Sequence, residues 1–236
     1  MEMIKLIKKL FLSSAKPTKN AQSEEEYYEE LFTKNLKWSQ TEPNYDEQLR
    51  WEIIKTYLQE DVIPNNFDKL KILDLGCGRG WLTNLLSNYG NATGIEPVKT
   101  VVEHAKKLFP TINFITGTSK DLLSTNKSTY NFIVSSEVIE HIPDNEKEEF
   151  INDIVELLDN NGYLVITTPR KEAQKEWNKF VGANQPIEDW ISENDLEELV
   201  TKKYFKTCRL NRIAISPADG VPKIEIYQVW LFQKNK

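Results

Sequence analysis

Cysteine is scarce: Cys77 and Cys208 are the only two in 236 residues, too few for a disulfide framework and consistent with a reducing compartment. Nine glycines and ten prolines exclude a collagen-like or low-complexity chain. No apolar run approaches the roughly 20 residues that cross a bilayer. Met1 to Leu12 breaks its apolar residues with Lys5, Lys8 and Lys9, unlike the core of a signal peptide, so the expected location is the cytoplasm. The 30 basic residues, against 36 acidic ones for a net charge of −6, gather into no long stripe, which argues against nucleic acid as a partner. What remains is a 27.5 kDa chain with 39% hydrophobic and 28% charged residues, long enough to bury roughly 70% of its unfolded surface in one core.

Three stretches follow one another. Residues 1–22 read as a flexible or amphipathic N-terminal segment. Ile4, Ile7 and Phe11 recur at helical spacing among lysines, which would permit weak contact between residues 1–12 and a membrane surface. Residues 23–62 read as a helical cap: Glu24, Glu25, Glu26, Glu29 and Glu30 surround Tyr27, Tyr28, Leu31 and Phe32, and a second helix runs through Leu49, Ile53, Ile54 and Tyr57. Residues 63–236 alternate short β-rich runs with amphipathic helices. The strands are Lys71 to Leu75, Asn91 to Ile95, Thr111 to Ile115, Tyr130 to Ser135 and Tyr163 to Thr167, with helices near Leu82 to Tyr89, Val98 to Phe109 and Glu146 to Asp159. Such alternation predicts a doubly wound α/β fold, a parallel sheet with helices on both faces. An aromatic-rich insertion at residues 169–191 precedes a helix opened by Ser192. The last two runs, Phe205 to Ile213 and Ile224 to Phe232, are joined by a loop too short for a parallel crossover and should pair antiparallel.

Chemistry concentrates where strands end. Asp74-Leu75-Gly76-Cys77-Gly78-Arg79-Gly80 occupies the first strand-to-helix turn, the end of an open α/β sheet at which ligands bind. Its glycines at 76, 78 and 80 depart from the dinucleotide pattern, and Asp74 would repel a pyrophosphate. Glu96 ends the second strand about 20 residues beyond Gly76, where an acid accepts two hydrogen bonds from a ribose diol. An acid at the ribose and another at the glycine turn suit a nucleoside bearing a cationic group, as in S-adenosylmethionine.

With these residues the chain resembles class I S-adenosylmethionine-dependent methyltransferases over roughly residues 45 to 235. The resemblance implies a Rossmann-like sheet of seven strands, the last antiparallel, with Gly76, Gly78 and Gly80 lining the methionine part, Asp74 supporting its ammonium and Glu96 holding the ribose. Thr118 and Ser119 stand where relatives contact the adenine. A narrower resemblance, to the ubiquinone-biosynthesis O-methyltransferase-like group, rests on Glu137-Val138-Ile139-Glu140-His141-Ile142-Pro143-Asp144 after the fourth strand. Arg50 matches the arginine of that group that pairs with the cofactor carboxylate; the alternative for it is a solvent-exposed helix charge. The motif also places Glu137 beside the cofactor. Glu137, Glu140 and His141 together could offer two oxygens and an imidazole to a divalent cation such as Mg2+. The alternative is a metal-free turn. His104, the other histidine, falls in the second crossover helix and faces away.

The reaction implied is O-methylation of a small-molecule hydroxyl, with His141 as the base. Methylation of a nitrogen, a sugar or a peptide is the alternative, and a catalytically inactive binding or scaffold protein is a reading of another class. The acceptor pocket is expected under the variable segments Tyr27 to Tyr45, the loop after Glu137, Pro169 to Trp190 and Ala214 to Lys223, with Trp38, Trp177 and Trp190 offering flat apolar surface. Arg170 and Lys171 could meet an acidic acceptor.

Overall fold

In a computed structural model, residues 24–65, 69–125, 129–182 and 185–235 are described. The expectation for residues 1–22 lies outside them, apart from which the chain forms one sheet with its coverings. The elements in order are α1 (Glu24–Glu29), α2 (Tyr45–Tyr57), β1 (Leu70–Leu75), α3 (Trp81–Leu86), β2 (Gly90–Glu96), α4 (Lys99–Leu108), β3 (Asn113–Thr116), α5 (Ser119–Thr125) and β4 (Tyr130–Ser136). They continue with α6 (Lys147–Leu157), β5 (Leu158–Pro169), α7 (Lys171–Trp177), α8 (Glu193–Thr201), β6 (Phe205–Ile215) and β7 (Ile224–Lys234). The seven strands lie in the order β3-β2-β1-β4-β5-β7-β6. β1 to β5 run parallel, and β7 enters between β5 and β6 antiparallel to both. The doubly wound sheet is therefore as expected, antiparallel last strand included.

Burial on both faces explains the near-continuous apolar runs of β1 and β4. Side chains alternate between two cores: Ile72 joins one with Phe132 and Val165, while Leu73 and Leu75 join the other with Ile133 and Leu164. α2 begins at a capping box, in which Asn44 Oδ1 accepts from the amides of Asp46 and Glu47, and Glu47 Oε2 accepts from the Asn44 amide at 2.7 Å. It then buries Trp51, Ile54 and Tyr57 in the first core, and the Tyr57 hydroxyl donates to Val229 O in β7. The second half of the 23–62 segment thus shares the core of the sheet. Only the chain before it, from α1 through a wider helical turn at Glu30–Lys34, overhangs the strand ends.

α5 has no counterpart among the expected helices, and two further elements differ from expectation. The helix expected to reach Asp159 stops at Leu157, because Leu158 already pairs with Tyr130 at the edge of β5 before an irregular excursion in which Asn161 takes a φ of 63°. The 169–191 insertion contains α7, whose Lys-Glu-Ala-Gln-Lys-Glu-Trp run has good helix formers but only one buried residue, Ala173. A helix that short has too few apolar repeats to register as periodic. Among the described residues, no helix is long and apolar enough to cross a membrane.

Candidate active site

A cavity of about 940 Å3 opens at the carboxyl ends of β1, β2 and β4 and extends under α1 and α7. Its floor is the glycine turn. Gly76, Gly78 and Gly80 take φ values of 79°, 49° and 85°, left-handed conformations that a side chain disfavours. At Gly76 a Cβ would also stand 2.4 Å from Val138 Cγ2. Gly76→Ala is therefore expected to cost about 2–4 kcal/mol of stability, combining left-handed strain with overpacking, as read by urea denaturation.

Asp74 ends up 1% exposed at the base of the cavity, its carboxylate accepting from Thr83 Oγ1 at 2.6 Å. Burial pushes its pKa up to about 7 against the opposing pull of that hydrogen bond. Glu96, across the turn, accepts the amides of Gly78 at 3.2 Å and Val98 at 3.1 Å, one on each oxygen. Burial likewise pushes it up to about 7. Each carboxylate keeps acceptor lone pairs beyond these hydrogen bonds.

Arg50 is not a surface charge. It is 4% exposed and lines the cavity, with Nη1 3.9 Å from Glu137 Oε2 and its guanidinium 4.9 Å over the ring of Tyr227. Burial works against its charge, but Glu137 and neighbouring groups more than compensate and hold it protonated. Its Nε is buried with no hydrogen-bond partner among the described residues. Glu137, at a left-handed φ of 57°, accepts from Thr167 Oγ1 at 2.8 Å. Burial raises it to about 7 in spite of Arg50.

The proposed cation site is corrected by these directions. Glu137 turns to Arg50 and Thr167, Glu140 accepts from Thr168 Oγ1 at 2.9 Å, and His141 Nδ1 meets the carbonyl of Ile187 at 2.9 Å. Among the described residues, no three His, Cys, Asp or Glu side chains are grouped to hold a metal ion. Neighbouring residues of a tight turn project apart unless the backbone turns them inward, and here each finds its own protein partner. The donor set does not fit Mg2+, and no step is derived through one.

His141 itself faces the cavity. A carbonyl only accepts, so the Ile187 contact places a proton on Nδ1 and makes Nε2 the basic nitrogen. Glu140 Oε1 lies 3.8 Å from that nitrogen, and the ring of Tyr28 covers the imidazole edge-on at 5.8 Å. Glu140 is buried and raised to about 7 by that burial.

Thr118 and Ser119 line the cavity, but their side chains are occupied. Thr118 Oγ1 accepts the Asp121 amide at 3.3 Å at the start of α5 and donates to Asp121 Oδ2 at 2.8 Å, and Ser119 Oγ donates to Asp153 at 2.6 Å. Contact there would fall to their backbones. The roof holds Tyr27, Tyr28, Phe32, Trp38, Trp177 and Trp190, as expected, although Trp190 is also part of the first core. The loop from Ala214 to Lys223 is corrected: β6 and β7 extend far enough to carry its end away from the site. It borders a separate cavity of about 350 Å3 beside Arg170 and Phe180. Arg170 pairs with Glu193 at 2.6 Å instead of meeting an acceptor. His104 stays out of the cavity, as expected, with its Nε2 3.0 Å from the Ser39 carbonyl of the overhanging segment.

Sequence reasoning missed three residues. Arg79, inside the glycine turn, is fully buried and paired through both terminal nitrogens to Glu47 at 2.7 Å. Tyr227 forms the platform under Arg50. Nothing in one sequence links Arg79 to Glu47, 32 residues away, whereas an Arg among the glycines was a visible oddity.

At 30% identity over 135 residues, the chain matches a ubiquinone biosynthesis O-methyltransferase of Rickettsia typhi, covering 55% of this chain and 53% of that one. A mitochondrial enzyme of the same name from Rattus norvegicus is 36% identical over 132 residues, 52% of this chain and 37% of its own. The chain thus spans about half or less of the length of these relatives. The fold matches the N-methyltransferase NodS from Bradyrhizobium japonicum, solved with S-adenosyl-L-homocysteine, at a TM-score of 0.67 and 15% identity, over 91% of this chain and all of that one. Residues 45–206, well over half of the chain, match the model of the methyltransferase domain, and the chain belongs to that family.

Proposed function

We propose that the protein transfers a methyl group from S-adenosylmethionine to a hydroxyl of a small-molecule acceptor. The observation that carries this reading is the opposition, within one cavity, of two anionic side chains at the glycine turn and a buried arginine with an uncommitted Nε, Asp74 and Glu96 against Arg50. A zwitterionic nucleoside amino acid presents the complementary set: a diol for Glu96, an ammonium for Asp74 and a carboxylate for Arg50. When bound, the sulfonium supplies an electrophilic methyl group.

Direct displacement asks the protein mainly to hold the acceptor oxygen in line at roughly 3–3.5 Å. The aromatic roof excludes water and gives a flat acceptor a surface to lie on. His141 Nε2 takes the hydroxyl proton, and Glu140 Oε1 at 3.8 Å stabilises the imidazolium that results. The name shared by the sequence relatives, an O-methyltransferase of ubiquinone biosynthesis, supports an oxygen acceptor, which such a base suits.

Calorimetry with S-adenosylmethionine is expected to show one site per chain, and incubation of the purified protein with the cofactor and a cell extract should add one methylene mass to a single small molecule. No heat with the cofactor, while the protein melts cooperatively, would leave only the scaffold reading.

A further inference from the structure

We propose that Glu47 and Arg79 are positioning residues for Arg50: their buried ion pair fixes α2 against the glycine turn so that Arg50 is aimed at the carboxylate end of the cofactor. This rests on the reading of Arg50 given above. Arg79 belongs by its backbone to the turn between Gly78 and Gly80, yet its side chain serves the segment leading into α2. Nε donates to the Gln40 carbonyl at 2.6 Å, Nη2 to the Glu42 carbonyl at 3.1 Å, and the two terminal nitrogens grip the two oxygens of Glu47 at 2.7 Å each. Glu47 also accepts the Asn44 amide that starts the helix. One carboxylate thereby joins the first turn of α2, the chain before it and the glycine turn.

Arg50 follows Glu47 by three positions, on the same face of the helix. It reaches the opposite wall, where Glu137 lies 3.9 Å from Nη1. α2 therefore spans the cavity edge as a bracket, held to the turn after β1 by Glu47 and to the turn after β4 by Arg50. The Glu137 contact is long for a charge-assisted bond, and Tyr227 supports the guanidinium from beneath at 4.9 Å. Neither contact by itself sets where Nε points. The bidentate Arg79 pair is a short attachment three positions before Arg50 on the same helix, and a guanidinium fork constrains direction as well as distance.

A purely structural clamp and a positioning clamp differ in which part of the ligand they affect. The comparison uses S-adenosylhomocysteine, which has the carboxylate, and 5′-methylthioadenosine, which keeps the nucleoside and sulfur without it, titrated by calorimetry into the full chain. Glu47→Gln keeps the shape and a hydrogen-bond acceptor but removes the charge. It should weaken S-adenosylhomocysteine roughly tenfold, as displacement of a positioned group does, and leave 5′-methylthioadenosine within about twofold. Arg50→Gln should show the same selectivity more strongly, and the double variant should bind no worse than Arg50→Gln alone. Equal losses for both ligands in Glu47→Gln, or no loss for either, would overturn the positioning role. Should Glu47→Gln fail to melt cooperatively, Arg79→Lys, which keeps the charge but loses the fork, is judged by the same ratio. If Arg50→Gln itself shows no selectivity, the carboxylate reading of Arg50 fails first, and the positioning role with it.

Discussion

His141→Ala is expected to lower kcat about 100-fold or more while leaving the Kd for S-adenosylhomocysteine within about threefold of the original. The split follows from where the side chain sits. Its Nδ1 is tied to the Ile187 carbonyl of the chain that follows α7, and its other nitrogen faces Glu140. Asp74 and Glu96, proposed to hold the cofactor, belong to β1 and β2 rather than to the turn after β4 that carries His141. On the proposed reading, removing the imidazole takes away the base for the acceptor proton and leaves the proposed cofactor contacts on β1 and β2 in place. A loss confined to a few-fold would indicate an amine acceptor, which releases its proton after attack and needs little help from a base.

Glu96→Ala should weaken S-adenosylhomocysteine roughly 100-fold, since two hydrogen bonds to a charged acceptor are lost at about 1.5 kcal/mol or more each. The amides of Gly78 and Val98, which now donate to that carboxylate, would be left without it, so some loss of stability should accompany the loss of affinity. The pH dependence separates the two effects. Glu96 and Asp74 are pushed by burial to about 7 from ordinary values of 4.5 and 3.8. Between those limits the folded chain holds protons that the unfolded chain has released. The stability that this protonation contributes is complete below about pH 4 and is lost as pH rises through 7. Ligand-free protein should therefore melt at a higher temperature at pH 6 than at pH 8, as far as these two groups are concerned. Cofactor binding should run the other way, weakening below pH 7 as Glu96 takes up a proton and loses acceptor capacity. Thermal melts and calorimetric titrations at the same pH values check both. Affinity that is flat from pH 6 to 8 would mean that Glu96 stays ionised throughout and that burial costs it less than its surroundings suggest.

Much of the fold could be read from residue patterns because the signal is local. β1 and β4 are apolar on both faces since helices cover both faces of the sheet, and the short connection between β6 and β7 forbids a parallel crossover. Asp74 and Glu96 could be read for the same reason: Asp74 lies one residue before the end of β1 and Glu96 ends β2, so both lie near the one edge where all the parallel strands finish. Helix α7 was not legible. With Ala173 as its one buried residue, it depends on neighbours for its stability and leaves no periodic trace.

The turn after β4 marks the boundary between the two kinds of information. The order Glu137, Glu140, His141 states which chemical groups are near one another, yet three adjacent side chains can converge or diverge with a change of one backbone angle. Here all three line the cavity and Glu140 Oε1 lies 3.8 Å from His141 Nε2, but the partners Thr167, Thr168 and Ile187 take up their hydrogen-bonding atoms, and that speaks against a cation site. Arg79 and Glu47 show the same limit over a longer range.

Sequence alone determined the doubly wound architecture and the edge of the sheet at which Asp74 and Glu96 lie, because strand alternation and strand direction are properties of neighbouring residues. Tertiary structure alone decided that Arg50 is buried, that Arg79 pairs with Glu47 beside it, and that His141 Nδ1 meets the Ile187 carbonyl while Nε2 faces Glu140. Those outcomes depend on which distant groups fill a side chain's hydrogen-bonding capacity once water is excluded. That is settled by packing, when a buried charge must find its partner wherever the fold has placed one.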